Sequence, residues 1–318
     1  IRVDQNRKVE ELASIKLEKN LPDDKLCDPA MHSEYRSLLG QMNWLQSRTQ
    51  FQSCFVFSRC ASAAASPTIK AVRKLNKLAT TIRADQVTLN FWPLKGPRRI
   101  MGYPDAAYKN NDDASTQGGH AIFIAQPREK GVTSCHATLV DYESTEIKRT
   151  IHSTTMAELY AFMKCFGTCQ FLKGLWMDMT GEKAEIHMRT DAKNLVETAK
   201  TTSLAHQKET IHMINMLRTE ACSGQISDLA HVASEDQMAD CFTKEMTATA
   251  LIKAVKESKI PNADIHAPFR EMMQSKHKAY LAQWLVKYVD RGVVTYGSSF
   301  LGVPIAEEVS YILYSGHG

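Results

Sequence analysis

Four acidic side chains in this sequence could support chemistry together: Asp105, Glu158, Asp191 and Asp240. Carboxylate oxygens are the ligands that Mg²⁺ and Mn²⁺ prefer in proteins. Two such ions, about 3.5–4 Å apart, can activate water and stabilise the leaving oxygen of a phosphodiester. If the four carboxylates converge in space, the sequence predicts a metal-dependent phosphodiester hydrolase.

Glu158 is the most informative of the four acids. It heads an apolar stripe with helical spacing, and the stripe continues through Phe162, Cys165, Cys169, Leu172 and Trp176. An ionised carboxylate on a buried helix face is costly unless it is paired or binds a metal. The alternative is a capping box, because Thr155 and Glu158 fit the S/T-x-x-E pattern. The two interpretations are about equally supported and are compatible.

Each of the other acids also has a structural interpretation. Asp105 follows Pro104 and is, by itself, typical of a turn. Asp191 lies between a predicted strand and a predicted helix, where an N-cap is common. Asp240 lies on a helix predicted to begin at Ser234, and it would by default be a surface acid. Taken together, however, they lie at strand ends and on helices that could meet at one sheet edge.

The elements that must position these acids follow from hydrophobic periodicity. Strands are predicted over residues 87–91, 99–103, 118–125, 132–139, 184–188 and 226–232, and helices over residues 32–83, 155–178, 192–200, 208–221, 235–245 and about 269–289. From residue 99 onward the order is three strands, a helix, a strand, helices, a strand and a helix. This order predicts an α/β fold with a five-stranded mixed sheet flanked by helices.

A basic stripe precedes the predicted sheet. Its members lie at i, i+3, i+4 and i+7 and therefore share one helical face, and they are Lys70, Arg73, Lys74 and Lys77. A solvated helix surface is the simpler interpretation. Beside a nuclease site the same stripe would be a nucleic-acid-binding track that contacts phosphates.

Composition narrows the class of protein. The chain is 43% apolar and 23% charged, with a net charge of +4, which is typical of a globular protein. Without a run of about 18 apolar residues it predicts no membrane span, and eight cysteines beside apolar residues predict reduced, buried thiols in an intracellular protein. A zinc site would need Cys165 and Cys169 with Cys135, His136 and His152, but such a helical cysteine pair is more often core.

Four motifs resemble those of copia-type retrotransposon ribonuclease H. They are residues 102–108 (GYPDAAY), 153–161 (STTMAELYA), 189–192 (RTDA) and 231–244 (HVASEDQMADCFTK), and the last is highly specific. Upstream, residues 35–40 (YRSLLG) resemble the link between the reverse transcriptase and the nuclease in that family. The likeness covers roughly residues 32–246.

The resemblance implies a ribonuclease H-like fold with helical N-terminal and C-terminal extensions. It divides the chain into a charged lead-in (1–31), a helical reverse-transcriptase tail (32–95), the nuclease domain (96–249) and an extension of unknown role (250–318). The implied activity is cleavage of RNA in RNA–DNA hybrids, read by shape and 2′-hydroxyls, with two Mg²⁺ or Mn²⁺ ions held by the four acids. The implied partner is the rest of a Pol polyprotein, in a cytoplasmic particle or the nucleus.

Two departures keep alternatives open. Pro104 directly precedes the first acid, although proline cannot donate a ladder hydrogen bond in a central strand, and Ala192 stands where a polar residue is common. The sequence also contains no Tyr-x-Asp-Asp polymerase motif. The main alternative is a catalytically degenerate retroelement remnant that binds nucleic acid. A further alternative is an integrase-like strand transferase, although that chemistry normally ends its acid set with a helical glutamate.

Overall fold

The computed structural model describes residues 1–127, 132–200 and 210–261, together with the backbone of two short strands near the C-terminus. The helices in these ranges are α1 (Asn6–Glu10), α2 (Pro29–Gln46), α3 (Cys54–Ser62), α4 (Ile69–Ala84), α5 (Thr154–Thr180), α6 (Lys193–Lys200), α7 (Ile211–Cys222) and α8 (Thr249–Glu257). The strands are β1 (Arg2–Val3), β2 (Leu89–Asn90), β3 (Arg98–Ala107), β4 (Thr116–Ala125), β5 (Ser134–Ile147), β6 (Ala184–Thr190), β7 (Asp228–His231), β8 (Lys259–Pro261), β9 (Ser299–Phe300) and β10 (Val303–Pro304).

A six-stranded mixed sheet forms the centre of the fold, in the order β7-β6-β3-β4-β5-β8. Strands β3, β6 and β7 are parallel to one another, whereas β4 runs antiparallel to β3 and to β5. The order of elements confirms the predicted α/β fold, a mixed sheet flanked by helices. The predicted number of strands was wrong by one, because β8 adds a short sixth strand that pairs with the start of β5.

Helix α5 covers one face of the sheet. Its side chains Phe162, Cys165 and Cys169 are fully buried against β3 and β6, so the predicted apolar stripe is confirmed. Close approach depends on Gly102, where an added Cβ would lie 2.9 Å from the sulfurs of Cys165, Cys169 and Met188. Glycine at this point of β3 therefore allows the helix to pack directly on the strand.

The opposite face of the sheet is buried by the end of the motif at 231–244 and by the segment that follows it. Tyr103 and Phe123 pack there with Phe242 and with Leu251 of α8. Helix α8 and strand β8 belong to residues 250–318, which were predicted as a separate extension. These first residues of the extension therefore complete the core of the sheet.

The N-terminal helices form a third apolar cluster. Tyr35 and Met42 of α2 pack against Val72 and Leu75 of α4, and Val9 of α1 is buried among them. Strand β1 also pairs with β2. The segment 1–31, predicted as a lead-in, thus contributes apolar side chains to this helical unit. The single long helical region predicted over residues 32–83 is divided among α2, α3 and α4.

Several predicted boundaries differ from the structure. The prediction of a helix over residues 235–245 was wrong, because the segment forms two single 3₁₀ turns, Ser234–Asp236 and Asp240–Phe242. Strands β3 and β5 both extend further than their apolar patterns indicated. The helices predicted around residues 269–289 lie outside the described residues. Within the described ranges, no helix combines the length and apolarity needed to cross a bilayer.

Candidate metal centre and active site

Asp105 lies inside β3, so its interpretation as a turn residue was wrong. It pairs across the sheet with Gly119 of β4, and only 1% of its surface is exposed. The parallel ladder between β3 and β6 ends at Gly102, three residues earlier. Beyond that point the two strands separate, which leaves the Asp105 carboxylate at an open edge of the sheet.

Pro104 is accommodated because of this divergence. Its carbonyl oxygen accepts a hydrogen bond from Gln237 Nε2 at 3.0 Å, so its backbone polar edge faces away from β4. In an extended strand the nitrogen and the carbonyl of one residue face the same side. The missing N–H of Pro104 therefore lies on the side where the ladder to β6 has already ended, and the proline disrupts neither neighbouring strand.

Three of the predicted acids converge at this edge. One carboxylate oxygen from each of Asp105, Asp191 and Asp240 lies within 4.8 Å of the others. Asp191 follows the last residue of β6, and Asp240 begins a 3₁₀ turn. Asp240 is therefore directed into the group of aspartates, and its interpretation as a surface acid on a helix was wrong.

The Asp191 carboxylate is also bound into this group. Gln237 Nε2, which donates to Pro104, lies 3.3 Å from Asp191 Oδ1. The Gln237 side-chain oxygen accepts from the backbone N–H of Ala239 at 3.3 Å. One buried amide thus connects β3, the end of β6 and the turn that carries Asp240.

Glu158 lies beside the aspartates on the first turns of α5. The N-cap of this helix is Ser153, whose side chain accepts from the N–H of Met156, so the capping-box interpretation through Thr155 was wrong. The Glu158 carboxylate instead accepts from the backbone N–H of Ala106. Its Oε2 atom is buried and has no hydrogen-bond partner among the described residues. This orphaned oxygen is available to a ligand.

Burial and mutual repulsion shift the ionisation of two of these acids. Burial, together with the Asp105 and Asp191 carboxylates, raises the pKa of Glu158 to about 9. Burial also raises the pKa of Asp105 to about 6, although Lys244 and a hydrogen bond from Thr243 oppose the change. A cation is needed to hold all of these groups ionised at neutral pH.

Thr243 and Lys244 complete the site and were not singled out from the sequence as site residues. The hydroxyl of Thr243 donates to Asp105 Oδ2. The ammonium of Lys244 lies 2.7 Å from Asp240 Oδ1 and 4.0 Å from Asp105 Oδ2. Both residues belong to the motif at 231–244, and that motif was the signal that could have identified them.

Gly119 permits the turn after Asp240 to reach Asp105. An added Cβ at Gly119 would lie 2.5 Å from the Cβ of Phe242 and 3.3 Å from Cγ2 of Thr243. Real Cβ atoms do not make contacts as short as the first of these. The absence of a side chain at this position therefore sets the distance between β4 and the turn.

The donor set fits a hard divalent cation. It consists of clustered carboxylate oxygens, including the buried and unpartnered Oε2 of Glu158, and hard cations prefer such oxygen ligands. Among the described residues, the three aspartates are the only group of three or more acidic, histidine or cysteine side chains close enough to share an ion. The residues of the alternative zinc site are therefore not brought together, and the eight cysteines, all within the described residues, are not joined in disulfides.

The basic stripe on α4 is largely engaged with acids. Lys70 lies 3.7 Å from Asp112, and Lys74 lies 3.3 Å from Glu245. Arg73 is paired with Asp23. These pairs are mostly exposed, and exposed ion pairs contribute at most about 1 kcal/mol. The stripe can therefore still exchange its acidic partners for phosphates, and its role in binding nucleic acid stays a prediction.

Comparison with known proteins finds similar folds at low identity. No protein-family model and no curated protein sequence matches the chain. The LC11 ribonuclease H1, isolated from compost by a metagenomic approach and solved in complex with an RNA/DNA hybrid, is 17% identical with a TM-score of 0.35, and the match covers 48% of this chain and 99% of that chain.

Two further solved structures are similar to this chain. The ribonuclease H1 of the halophilic archaeon Halobacterium salinarum NRC-1 is 13% identical with a TM-score of 0.33, and the match covers 49% of this chain and 99% of that chain. A foamy viral protease-reverse transcriptase, solved in complex with dsDNA, is 12% identical with a TM-score of 0.37, and the match covers 72% of this chain and 42% of that chain.

Proposed function

We propose that this protein is a metal-dependent ribonuclease H that hydrolyses the RNA strand of RNA–DNA hybrids. The observation that carries the proposal is the convergence of Asp105, Asp191 and Asp240 within 4.8 Å, with the unpartnered oxygen of Glu158 beside them. Burying such a group of like charges is costly unless a cation binds there. A fold would not retain this arrangement for stability alone.

The four acids would hold two Mg²⁺ or Mn²⁺ ions. When bound, such ions supply an activated water and stabilise the leaving oxygen of a phosphodiester. The residues of the chain perform the remaining tasks. Thr243 orients the Asp105 carboxylate, and Gln237 orients Asp191. In the absence of a cation, the raised pKa of Glu158 keeps its carboxyl group protonated at neutral pH.

The proposed origin is a copia-type retrotransposon Pol polyprotein, and the motif at 231–244 supports it most strongly. Four side chains of that motif (Gln237, Asp240, Thr243 and Lys244) lie in the site itself. The proposed partner is therefore a reverse transcriptase from the same polyprotein. The proposed location is intracellular, in a cytoplasmic particle or in the nucleus, where a hybrid intermediate would be available.

Two cations beside tyrosine rings, Lys109 and Arg149, support contact with a nucleic-acid backbone. Lys109 follows the end of β3, and its ammonium lies 5.3 Å from the centroid of the Tyr108 ring. Arg149 follows β5, and its guanidinium lies 5.7 Å from the centroid of the Tyr160 ring. Both tyrosines pack on the small apolar cluster that includes Ala106. Cations interleaved with aromatic rings are suited to phosphates and unstacked bases.

The test is cleavage of a labelled RNA–DNA hybrid in the presence of Mg²⁺ or Mn²⁺. The wild type should release short RNA products, whereas Glu158→Gln should retain hybrid binding and lose nearly all cleavage. Duplex DNA and duplex RNA of the same sequence are the control substrates. Binding without cleavage by the wild type would instead identify a degenerate remnant, and equal cleavage of duplex DNA would refute hybrid specificity.

A further inference from the structure

Lys244 places a positive charge directly among the acids of the site. Its ammonium contacts Asp240 Oδ1 at 2.7 Å and approaches Asp105 Oδ2 at 4.0 Å. Lys244 and Asp240 are joined by one helical turn, because the N–H of Lys244 also donates to the carbonyl oxygen of Asp240 at 3.1 Å. Among the described residues, Lys244 is the cation whose ammonium lies within 4.0 Å of two of the three aspartates, Asp105 and Asp240.

The charge balance of the site depends on this contact. Asp105, Asp191 and Asp240 would repel one another at their observed separations, and Asp105 is almost completely buried. The Lys244 ammonium, 2.7 Å from Asp240 Oδ1 and 4.0 Å from Asp105 Oδ2, offsets part of this repulsion. The lysine and the aspartates therefore stabilise one another's charges while no metal ion is bound.

A divalent cation bound by Asp240 would repel this ammonium and weaken its contact, because the two positive charges would compete for the same carboxylate. Leaving is feasible, since 43% of the Lys244 side-chain surface is exposed. Its flexible four-carbon stem can move the ammonium into solvent without any change in the backbone.

We propose that Lys244 is a tethered counter-ion of the acid cluster, which holds the aspartates together in the metal-free protein and competes with the divalent cation for Asp240. The inference rests on the proposed metal site, although it does not depend on cleavage of a hybrid. It assigns Lys244 a positioning role that sets the affinity for the metal.

The competition can be measured by calorimetric titration with Mn²⁺ alone. Lys244→Met keeps much of the apolar stem and removes the charge, whereas Lys244→Arg retains the charge. Lys244→Met should bind Mn²⁺ about fivefold more tightly than the wild type, which is the ratio for an ion pair of about 1 kcal/mol. Lys244→Arg should stay within about twofold of the wild type. Lys164→Met, which removes another cation paired with an acid, Glu143, is the matched control and should also stay within about twofold.

A second readout separates competition from a merely structural role. Without metal, Lys244→Met should unfold at a lower temperature than the wild type, and saturating Mn²⁺ should remove or reverse the difference. Should Lys244→Met not fold, Lys244→Gln provides the same comparison. Unchanged or weaker Mn²⁺ binding in the uncharged variants would overturn the inference while leaving the metal site intact. If the wild type binds no Mn²⁺, the proposed metal site fails, and the counter-ion role fails with it.

Discussion

Replacing Gly119 with alanine should disable the site by moving Asp240 and Thr243. The new Cβ would lie 2.5 Å from the Cβ of Phe242, whereas carbon atoms in contact need about 3.5 Å or more. The turn must therefore retreat by about 1 Å, since β4 is a central strand whose backbone cannot yield easily. The new Cβ cannot avoid this contact by moving toward β5, because it already lies 3.0 Å from the Glu143 carbonyl oxygen of that strand.

A displacement of this size has a predictable effect on activity. Misplacing reacting groups by about 1 Å can cost about 100-fold in rate, and overpacking of a core costs about 1–3 kcal/mol of stability. We therefore expect Gly119→Ala to cleave a labelled hybrid about 100-fold more slowly at saturating Mg²⁺. Urea denaturation should show a loss of about 1–3 kcal/mol, so that the variant can still be assayed in its folded state.

The adjacent glycine supplies the control for this experiment. An added Cβ at Gly118 would lie 3.2 Å from side-chain atoms of Ile147, which is flexible and can move, and 3.8 Å from the Cβ of Ala161, which is an ordinary contact distance. Gly118→Ala should therefore retain cleavage within a few-fold of the wild type. If Gly119→Ala cleaves as fast as Gly118→Ala, then close packing of the turn against β4 does not set the position of Asp240, and the reasoning is wrong.

Three further predictions address ionisation, packing and substrate binding. The pKa of Glu158 is raised to about 9 from an ordinary 4.5, so its contribution to stability is complete below pH 4.5 and is lost as pH rises toward 9. Glu158→Gln should flatten this decline of melting temperature with pH, measured by thermal denaturation without metal. Equal slopes of melting temperature against pH in the variant and the wild type would contradict the prediction. Gly102→Ala should lower the free energy of unfolding, measured by urea denaturation, by about 1–3 kcal/mol, because its Cβ would lie too close to three buried sulfurs. Gly167→Ala is the control, because an added Cβ at that helical position meets no atom within 4 Å. Joint replacement of Lys109 and Arg149 by alanine should weaken hybrid binding. It should also reduce the slope of log affinity against log salt concentration by the amount expected for about two phosphate contacts. An unchanged slope would exclude both residues as phosphate contacts.

Element order and the order of the acids could be predicted from the sequence because both depend on local patterns. The apolar stripe from Phe162 onward predicted the buried face of α5, and the alternation of residues 87–91 predicted a strand where the short strand β2 lies. Convergence of Asp105 with Asp240 is different in kind. These residues are distant in sequence, and only the pairing of β3 with β4 and the packing of the turn on Gly119 bring them together.

The structure also shows why helical periodicity failed for the segment that carries Asp240. Met238, Cys241 and Phe242 do face the core, but a continuous helix would need all of its carbonyl oxygens to accept hydrogen bonds four residues ahead. Here Gln237 is extended, with a ψ of 103°, and its amide is committed to Pro104 and Asp191 instead. The apolar spacing is thus satisfied by two short turns joined at an extended residue. That break directs Gln237 toward β3, and the second turn places Asp240 and Lys244 on one side of the site. A regular helix could not present both a long-range amide contact and this acid–lysine pair from the same short segment, so the irregular backbone is the feature that builds the site.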